Sequence, residues 1–227
     1  MKKNKCWECY QEIESDLESG KWKQASLPMI EWHEMMNAEK KLIKEKLLEI
    51  KPEKVLEIGA GSGRIIEIVL KNSGAKITAI EKNRELCELV KQRFKGNERA
   101  EIINSENPPS KKFDLALCMM NTLGNQENER ELIEKALSVS GRMLFTLYKK
   151  GSEKIRQEIY RERGHKDFAL RENCFYFNDN WVKGLISKNY SKEDIEKILS
   201  GIHCNYKILE LSKIAYCVEA EKKPGNS

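Results

Sequence analysis

The chain has 227 residues, of which 40% are hydrophobic and 34% charged, with five prolines and a net charge of +5. That balance excludes disordered, collagen-like and low-complexity proteins. A chain of this size buries about 70% of its unfolded surface around one core without disulfides or metals. No apolar run approaches the ~20 residues of a membrane span, and no apolar segment follows Met1-Lys2-Lys3-Asn4-Lys5, so no signal peptide is expected. Charge is spread evenly: residues 1–50, 51–150 and 151–227 carry net charges of −1, +4 and +2. None of these is the basic block that makes a nucleic-acid arm or a membrane patch. The seven cysteines are an odd number, and Cys87, Cys118 and Cys217 sit in apolar segments. A reduced, cytoplasmic protein is the expectation.

Taken in chain order, residues 10–50 predict helix, with Leu42, Ile43, Leu47, Leu48 and Ile50 at helical spacing among Lys and Glu. Pro28 marks a break or a first helical turn. Val55-Leu56-Glu57-Ile58 then predicts a short strand running into Gly59-Ala60-Gly61-Ser62-Gly63, followed by a helix from Arg64 to Lys71. Lys76 to Ile80 is a second strand, Asn83 to Lys95 a helix, Glu101-Ile102-Ile103 a third strand and Phe113 to Met119 a fourth. Asn128 to Ser138 predicts a helix, Arg142 to Tyr148 a fifth strand and Ser152 to Arg163 a helix. Cys174 to Phe177 and Trp181 to Ser187 read as a hairpin around Asn178-Asp179-Asn180. Ser191 and Asp194 open a helix over 192–200 in capping-box style, and Tyr206 to Leu211 and Ile214 to Ala220 are the last strands.

Strands alternating with helices predict an α/β fold: a doubly wound, mostly parallel, seven-stranded sheet with helices on both faces. Residues 1–50 form an N-terminal helical extension, a lid or cap in which Trp22, Trp32 and His33 could cover a site. Residues 51–227 form the main domain, with 164–200 a small C-terminal hairpin and helix insertion on the substrate side.

VLEIGAGSGR, residues 55–64, is the strongest local signal. Glycines let a strand turn sharply into a helix and let a ligand approach the backbone. A phosphate-binding loop would need Gly-Lys-Ser/Thr, but Gly63 is followed by Arg64-Ile65; a dinucleotide loop would need glycine where Arg64 stands. Glu57, two residues before Gly59, would repel a pyrophosphate and suit a cationic amine. Glu81, at the end of the second strand, can accept hydrogen bonds from both ribose hydroxyls. The two acids point to a nucleoside with a positive, amine-bearing tail and no diphosphate.

With these features the chain resembles the class I, Rossmann-like S-adenosylmethionine-dependent methyltransferases. VLEIGAGSG, ITAIEKN, FDLALCMMNTLGN and ALSVSGRMLFTLY are similar to four of that family's motifs in their order, over about residues 50–150. The resemblance implies S-adenosylmethionine as cofactor. It implies that Glu57 faces the methionine amino group, and that Gly59, Ala60, Gly61, Ser62 and Gly63 pass beneath the methionine and ribose. Glu81 would hold the ribose hydroxyls and Lys82 flank the adenine. Asn104, Ser105 or Glu106 would stand at the family's adenine-reading position, and Met119 would pack near the adenine or sulfonium.

The acceptor is less marked. Asn107-Pro108-Pro109-Ser110 resembles a base-gripping Asn-Pro-Pro-aromatic motif, but Ser110 cannot stack and the tetrapeptide precedes the fourth strand, so it reads as a loop. The front half is also similar to the rRNA adenine dimethyltransferases, which carry an Asn-Leu-Pro-Tyr-like motif after the fourth strand. Here Met120-Asn121-Thr122-Leu123-Gly124-Asn125 takes that place without an aromatic. NTLGN, with Tyr148, Arg156, Tyr160 and Gly164, resembles small-molecule and uncharacterised members. The resemblance therefore implies transfer to N, O or S of a small molecule, with Asn121, Asn125, Tyr148, Arg156 and Tyr160 on the substrate side. An RNA or protein methyltransferase and a non-catalytic, S-adenosylmethionine-binding regulator are the alternatives. His33, Tyr160 and Asp179 are the candidates for a general base. Cys6-x-x-Cys9 lacks the second pair of ligands that a zinc site needs, so no metal is expected.

Overall fold

A computed structural model describes residues 26–179 and 183–224; Cys6, Cys9, Trp22 and Trp181 lie outside the described residues. The first helix, α1 (Leu27–Ile50), carries Pro28 in its first turn and is capped by Ser26, whose hydroxyl accepts from Met29 N at 3.4 Å. Then β1 (Lys54–Ile58), α2 (Arg64–Asn72), β2 (Lys76–Glu81), α3 (Arg84–Arg93) and β3 (Ala100–Asn104) alternate as the sequence predicts. They are followed by β4 (Leu115–Cys118), α4 (Glu129–Ser140), β5 (Arg142–Lys149) and α5 (Glu153–Glu162). The chain ends with β6 (Phe168–Arg171), β7 (Cys174–Phe177), β8 (Ile186–Tyr190), α6 (Lys192–Leu199), β9 (Cys204–Glu210) and β10 (Ala215–Lys222).

The central sheet runs β3-β2-β1-β4-β5-β10-β9. Its first five strands are parallel, and β10 inserts antiparallel between β5 and β9. These are the seven strands of the doubly wound sheet. A three-stranded antiparallel unit, β6-β7-β8, adds to it where Tyr148 and Lys149 of β5 pair with Asn189 and Tyr190 of β8. The expected two-stranded hairpin is thus corrected: β8 begins at Ile186, past the expected start at Trp181, and β6 was not foreseen. Its short FALR run has no clean alternation, so it becomes a strand through pairing with β7.

Alternation along the strands sorts the core into two faces. Leu56, Ile58, Ala116, Cys118, Met143 and Phe145 pack against α4 and α6. Val55, Leu115, Leu117 and Leu144 pack against Ile43 and Leu47 of α1, Ile66 and Val69 of α2, and Val90 of α3. Glu57 alternates onto this second face, at the C-terminal end of β1. Trp32, Met35 and Met36 of α1 form a third cluster with Tyr148, Ile159 and Ile214. Trp32 is therefore a core residue, and the guanidinium carbon of Arg163 stands 4.5 Å from its ring centroid.

Two glycines of the loop serve packing as well as bending. Gly59 has φ +83°, and a Cβ there would lie 2.4 Å from Thr122 Cγ2; Gly63 has φ +85°, and a Cβ would lie 2.5 Å from Phe94 Cε2. Gly63 thus lets α2 start close against α3. Gly63→Ala combines left-handed strain with overpacking and should lower stability by about 2–4 kcal/mol, read as a lower urea midpoint at unchanged slope.

Candidate active site

The strand order reverses between β1 and β4, and the crevice at the C-terminal ends of such strands is where an open α/β sheet binds ligands. A cavity of about 760 Å³ opens there. Among the residues singled out in the sequence, Glu57, Gly59, Ala60, Gly61, Ser62, Glu81, Lys82, Ser105, Glu106, Met119, Asn125, Tyr148 and Tyr160 line it. Gly63, Asn121 and Arg156 are not among its lining residues.

The loop after β1 is held by backbone bonds: Gly59 N and Ala60 N both donate to Ile80 O, at 2.9 and 3.0 Å. Glu81 accepts from Gly61 N at 3.0 Å and from Asn83 N at 2.9 Å, which fixes its carboxylate at the rim between loop and β2. Asn104 Nδ2 donates to the carbonyls of Glu81 and Lys82, at 2.8 and 3.1 Å, so it braces the rim. Ser105 is turned onto its own loop, its hydroxyl donating to Asn107 O at 2.9 Å, and Glu106 is exposed.

Glu57 is different. It is 2% exposed, and its Oε2 has no hydrogen-bond partner among the described residues. Burial pushes its carboxyl well above the ordinary carboxylate range; Arg64 opposes that and Glu81 adds to it. An orphaned buried carboxyl oxygen on a residue that lines a cavity calls for a hydrogen-bond donor, and the primary ammonium of S-adenosylmethionine would supply one together with a charge that favours the carboxylate. The loop glycines and the Glu81 carboxylate suit the rest of that nucleoside. The residues present fit the group.

Sequence reasoning missed Glu39. It is 0% exposed on α1, pairs with Arg64 and accepts from Met120 N at 2.9 Å and Thr146 Oγ1 at 2.5 Å. Met120 and Asn121 follow β4 with φ +53° and +59°, two consecutive non-glycine residues in the left-handed region. Glu39 secures the first. Asn121 secures the second: its Oδ1 accepts from Tyr148 N at 3.1 Å, and its Nδ2 donates to Ser187 Oγ at 2.9 Å and to Lys188 O at 3.3 Å. The side chain of Asn121 therefore stitches β5 to β8. Its buried amide is spent on the protein, which argues against the expected place beside the transferred methyl.

The cavity is also lined by Tyr148, by Tyr160 and Arg163 from the α5 region, and by His165, Phe177, Leu185 and Ser187 from the segment around β6-β7-β8. Arg156 lies behind this wall. His165 was also missed. Its Nδ1 is 3.2 Å from Asp179 Oδ2, and Asp179 Oδ1 accepts from Lys166 N and Asp167 N at 3.2 and 3.1 Å. Burial, then Arg163, lowers the imidazole's pKa from the usual histidine value, against the pull of Asp179. Asp179, a candidate base, thus serves to orient His165. His33 is buried on α1, its Nδ1 2.6 Å from Met29 O, and is not among the cavity-lining residues.

Among the described residues no group of three His, Cys, Asp or Glu could hold a metal, and no helix is long and apolar enough to cross a membrane.

The sequence matches the family model for ribosomal RNA adenine dimethylase over residues 37–158. No curated protein matches it. Among solved structures, an S-adenosylmethionine-dependent methyltransferase from Clostridium acetobutylicum ATCC 824 superposes with a TM-score of 0.65 at 13% identity, covering 83% of this chain and 92% of that one. The 1,6-didemethyltoxoflavin-N1-methyltransferase of Burkholderia thailandensis gives 0.57 at 16% identity, covering 95% and 89%. Magnesium protoporphyrin IX methyltransferase from Synechocystis PCC 6803, with bound SAM, gives 0.59 at 12%, covering 88% and 85%. At such identities these likenesses carry the fold alone.

Proposed function

Given that this chain belongs to the ribosomal RNA adenine dimethylase family and is an S-adenosylmethionine-dependent methyltransferase, we propose that its acceptor is a small molecule, methylated at N, O or S. One observation carries this reading: residues in and beside β6-β7-β8 add a wall to the cavity beyond the loop and strand ends that suit the nucleoside. Phe177, Leu185 and Ser187 line it from in and beside that unit, with Tyr160 packed on Phe177 at 4.9 Å between ring centroids, and Tyr148 lines it from β5. Such an added wall suits a small molecule, and a nucleotide still joined to its strand needs that side open. The segment after β4, where the rRNA enzymes carry an aromatic for the target base, holds Thr122, Leu123 and Gly124, with Leu123 and Gly124 buried. In this reading residues 164–200 are the acceptor-side insertion, and α1 caps the site's flank.

S-adenosylmethionine supplies an electrophilic methyl group on a sulfonium, attacked in line by the acceptor's lone pair. The chain's own part is to orient the acceptor and exclude water. An acceptor that arrives protonated needs a base, and His165 is suited to it. With Nδ1–H donated to Asp179, the basic lone pair of the ring is on Nε2.

A second reading, methylation of an RNA adenine, is favoured by the family match. Purified protein given S-adenosylmethionine labelled in the methyl group separates the two. The label should enter amines, phenols, thiols or carboxylic acids of a small-molecule panel and stay out of acid-precipitable RNA. Its appearance in RNA, with RNA affinity falling steeply as salt rises, would overturn the small-molecule reading. For a protonated acceptor, turnover should drop as pH falls below neutrality and His165 takes up its proton, and His165→Asn should flatten that limb.

A further inference from the structure

We infer that this added wall of the cavity contains an oxyanion subsite, made by the hydroxyls of Tyr160 and Ser187 and backed by the buried charge of Arg156. The subsite would take a carboxylate carried by the acceptor. The inference rests on the small-molecule reading and specifies its substrate class.

Arg156 is 1% exposed. Its guanidinium donates to Asn189 Oδ1, to Tyr160 Oη and, at 2.7 Å, to Ser187 Oγ. Its carbon lies 3.7 Å from the centroid of the Tyr148 ring. Among the described residues it has no carboxylate partner. Its polar partners are neutral oxygens, and a fully buried cation without a counter-ion is a costly arrangement.

The hydrogen-bond inventory shows where a counter-ion would sit. Ser187 Oγ accepts from Arg156 and, at 2.9 Å, from Asn121 Nδ2, which uses both of its lone pairs. It cannot accept a third hydrogen, so the hydroxyl of Tyr160, 3.4 Å away, has no good acceptor in it. If Ser187 instead donates to Tyr160, the Tyr160 hydrogen still has nowhere to go within the described protein. Tyr160 and Ser187 both line the cavity. At least one hydroxyl hydrogen, polarised by the guanidinium behind it, is therefore left without a protein acceptor on two residues that line the cavity. A polarised donor without an acceptor, one hydrogen bond from an uncompensated positive charge, selects an anionic oxygen.

The test uses the full chain saturated with S-adenosylhomocysteine and two fragments of one shape, benzoate and benzamide, followed by protein NMR shifts in low-chloride buffer. Benzoate should bind at least tenfold more tightly than benzamide. Tyr160→Phe and Ser187→Ala, which keep ring and backbone, each leave a donor of Arg156 unpaired and should lower the melting temperature; at a temperature where both stay folded, each should cut that preference below threefold with S-adenosylhomocysteine affinity retained. Equal binding of the two fragments, binding of neither, or a preference that survives Tyr160→Phe would overturn the subsite. Methylation of neutral small acceptors with no benzoate preference defeats the subsite alone. Methylation of RNA and of no small molecule defeats the reading on which it rests.

Discussion

Glu57→Ala should lower the affinity for S-adenosylhomocysteine by about 100-fold, a loss of about 3 kcal/mol, while the ligand-free protein melts no lower than the parent. The two effects have one cause. The carboxyl is buried with an orphaned oxygen, so without ligand it is a burden on the fold. Opposite an ammonium it becomes half of a charge-assisted hydrogen bond in a low-dielectric site. The sign of the pH dependence follows. The folded-state pKa of Glu57 stands well above that of the unfolded chain. Its contribution to stability is therefore present at low pH and is lost as pH rises through the folded value. A bound ammonium favours the ionised form, so ligand binding should release a proton from this side chain. Calorimetric binding enthalpies in phosphate and in Tris should differ for the parent by that proton's transfer and agree for Glu57→Ala. An unchanged affinity in the variant would remove Glu57 from the cofactor site.

Glu57, Glu81 and the glycine loop were legible in the sequence because their signal is local: a strand, a turn and a strand-end carboxylate lie within 27 residues. The strand alternation was legible for the same reason, and with it a parallel, doubly wound sheet; the strand order was not, because it depends on which strands meet. What stayed hidden depends on distant partners. Asn121 looked like a substrate ligand because it stands past a strand end; only the arrival of β8, 66 residues later, spends its amide on Ser187. His165 sits in an unremarkable Arg-Gly-His-Lys stretch, and its relation to Asp179 exists only once β6 and β7 pair. Arg156 and Tyr160 were legible as neighbours on one helix face, but not the depth at which the guanidinium is buried. Glu39 did leave a trace. Trp32, Met35, Met36, Glu39, Ile43 and Leu47 share one helical stripe, and all are buried. A charge at a core position of such a stripe implies a buried partner.

That partner makes Glu39→Ala the most destabilising change expected here. The substitution leaves the Arg64 guanidinium buried without its counter-charge and removes the acceptor of Met120 N and Thr146 Oγ1. Removing one half of a buried ion pair costs about 3–5 kcal/mol, which in a domain of this size is a fall in melting temperature of about 10 °C. Glu39→Gln keeps an oxygen for Met120 and Thr146 and should lose less. It should still weaken S-adenosylhomocysteine binding, for an electrostatic reason. Arg64 lines the cavity and already draws on the Glu57 carboxyl, lowering its proton affinity against burial. Held by Glu39, the guanidinium stays on its own side. Released by the amide, it can turn to the orphaned oxygen of Glu57 and occupy the place of the ligand's ammonium. Affinity should then fall in Glu39→Gln by more than its loss of stability accounts for, and Arg64→Met in the same background should restore it. If Glu39→Gln binds as the parent does, the buried pair serves the packing of α1 alone and has no part in keeping Glu57 open.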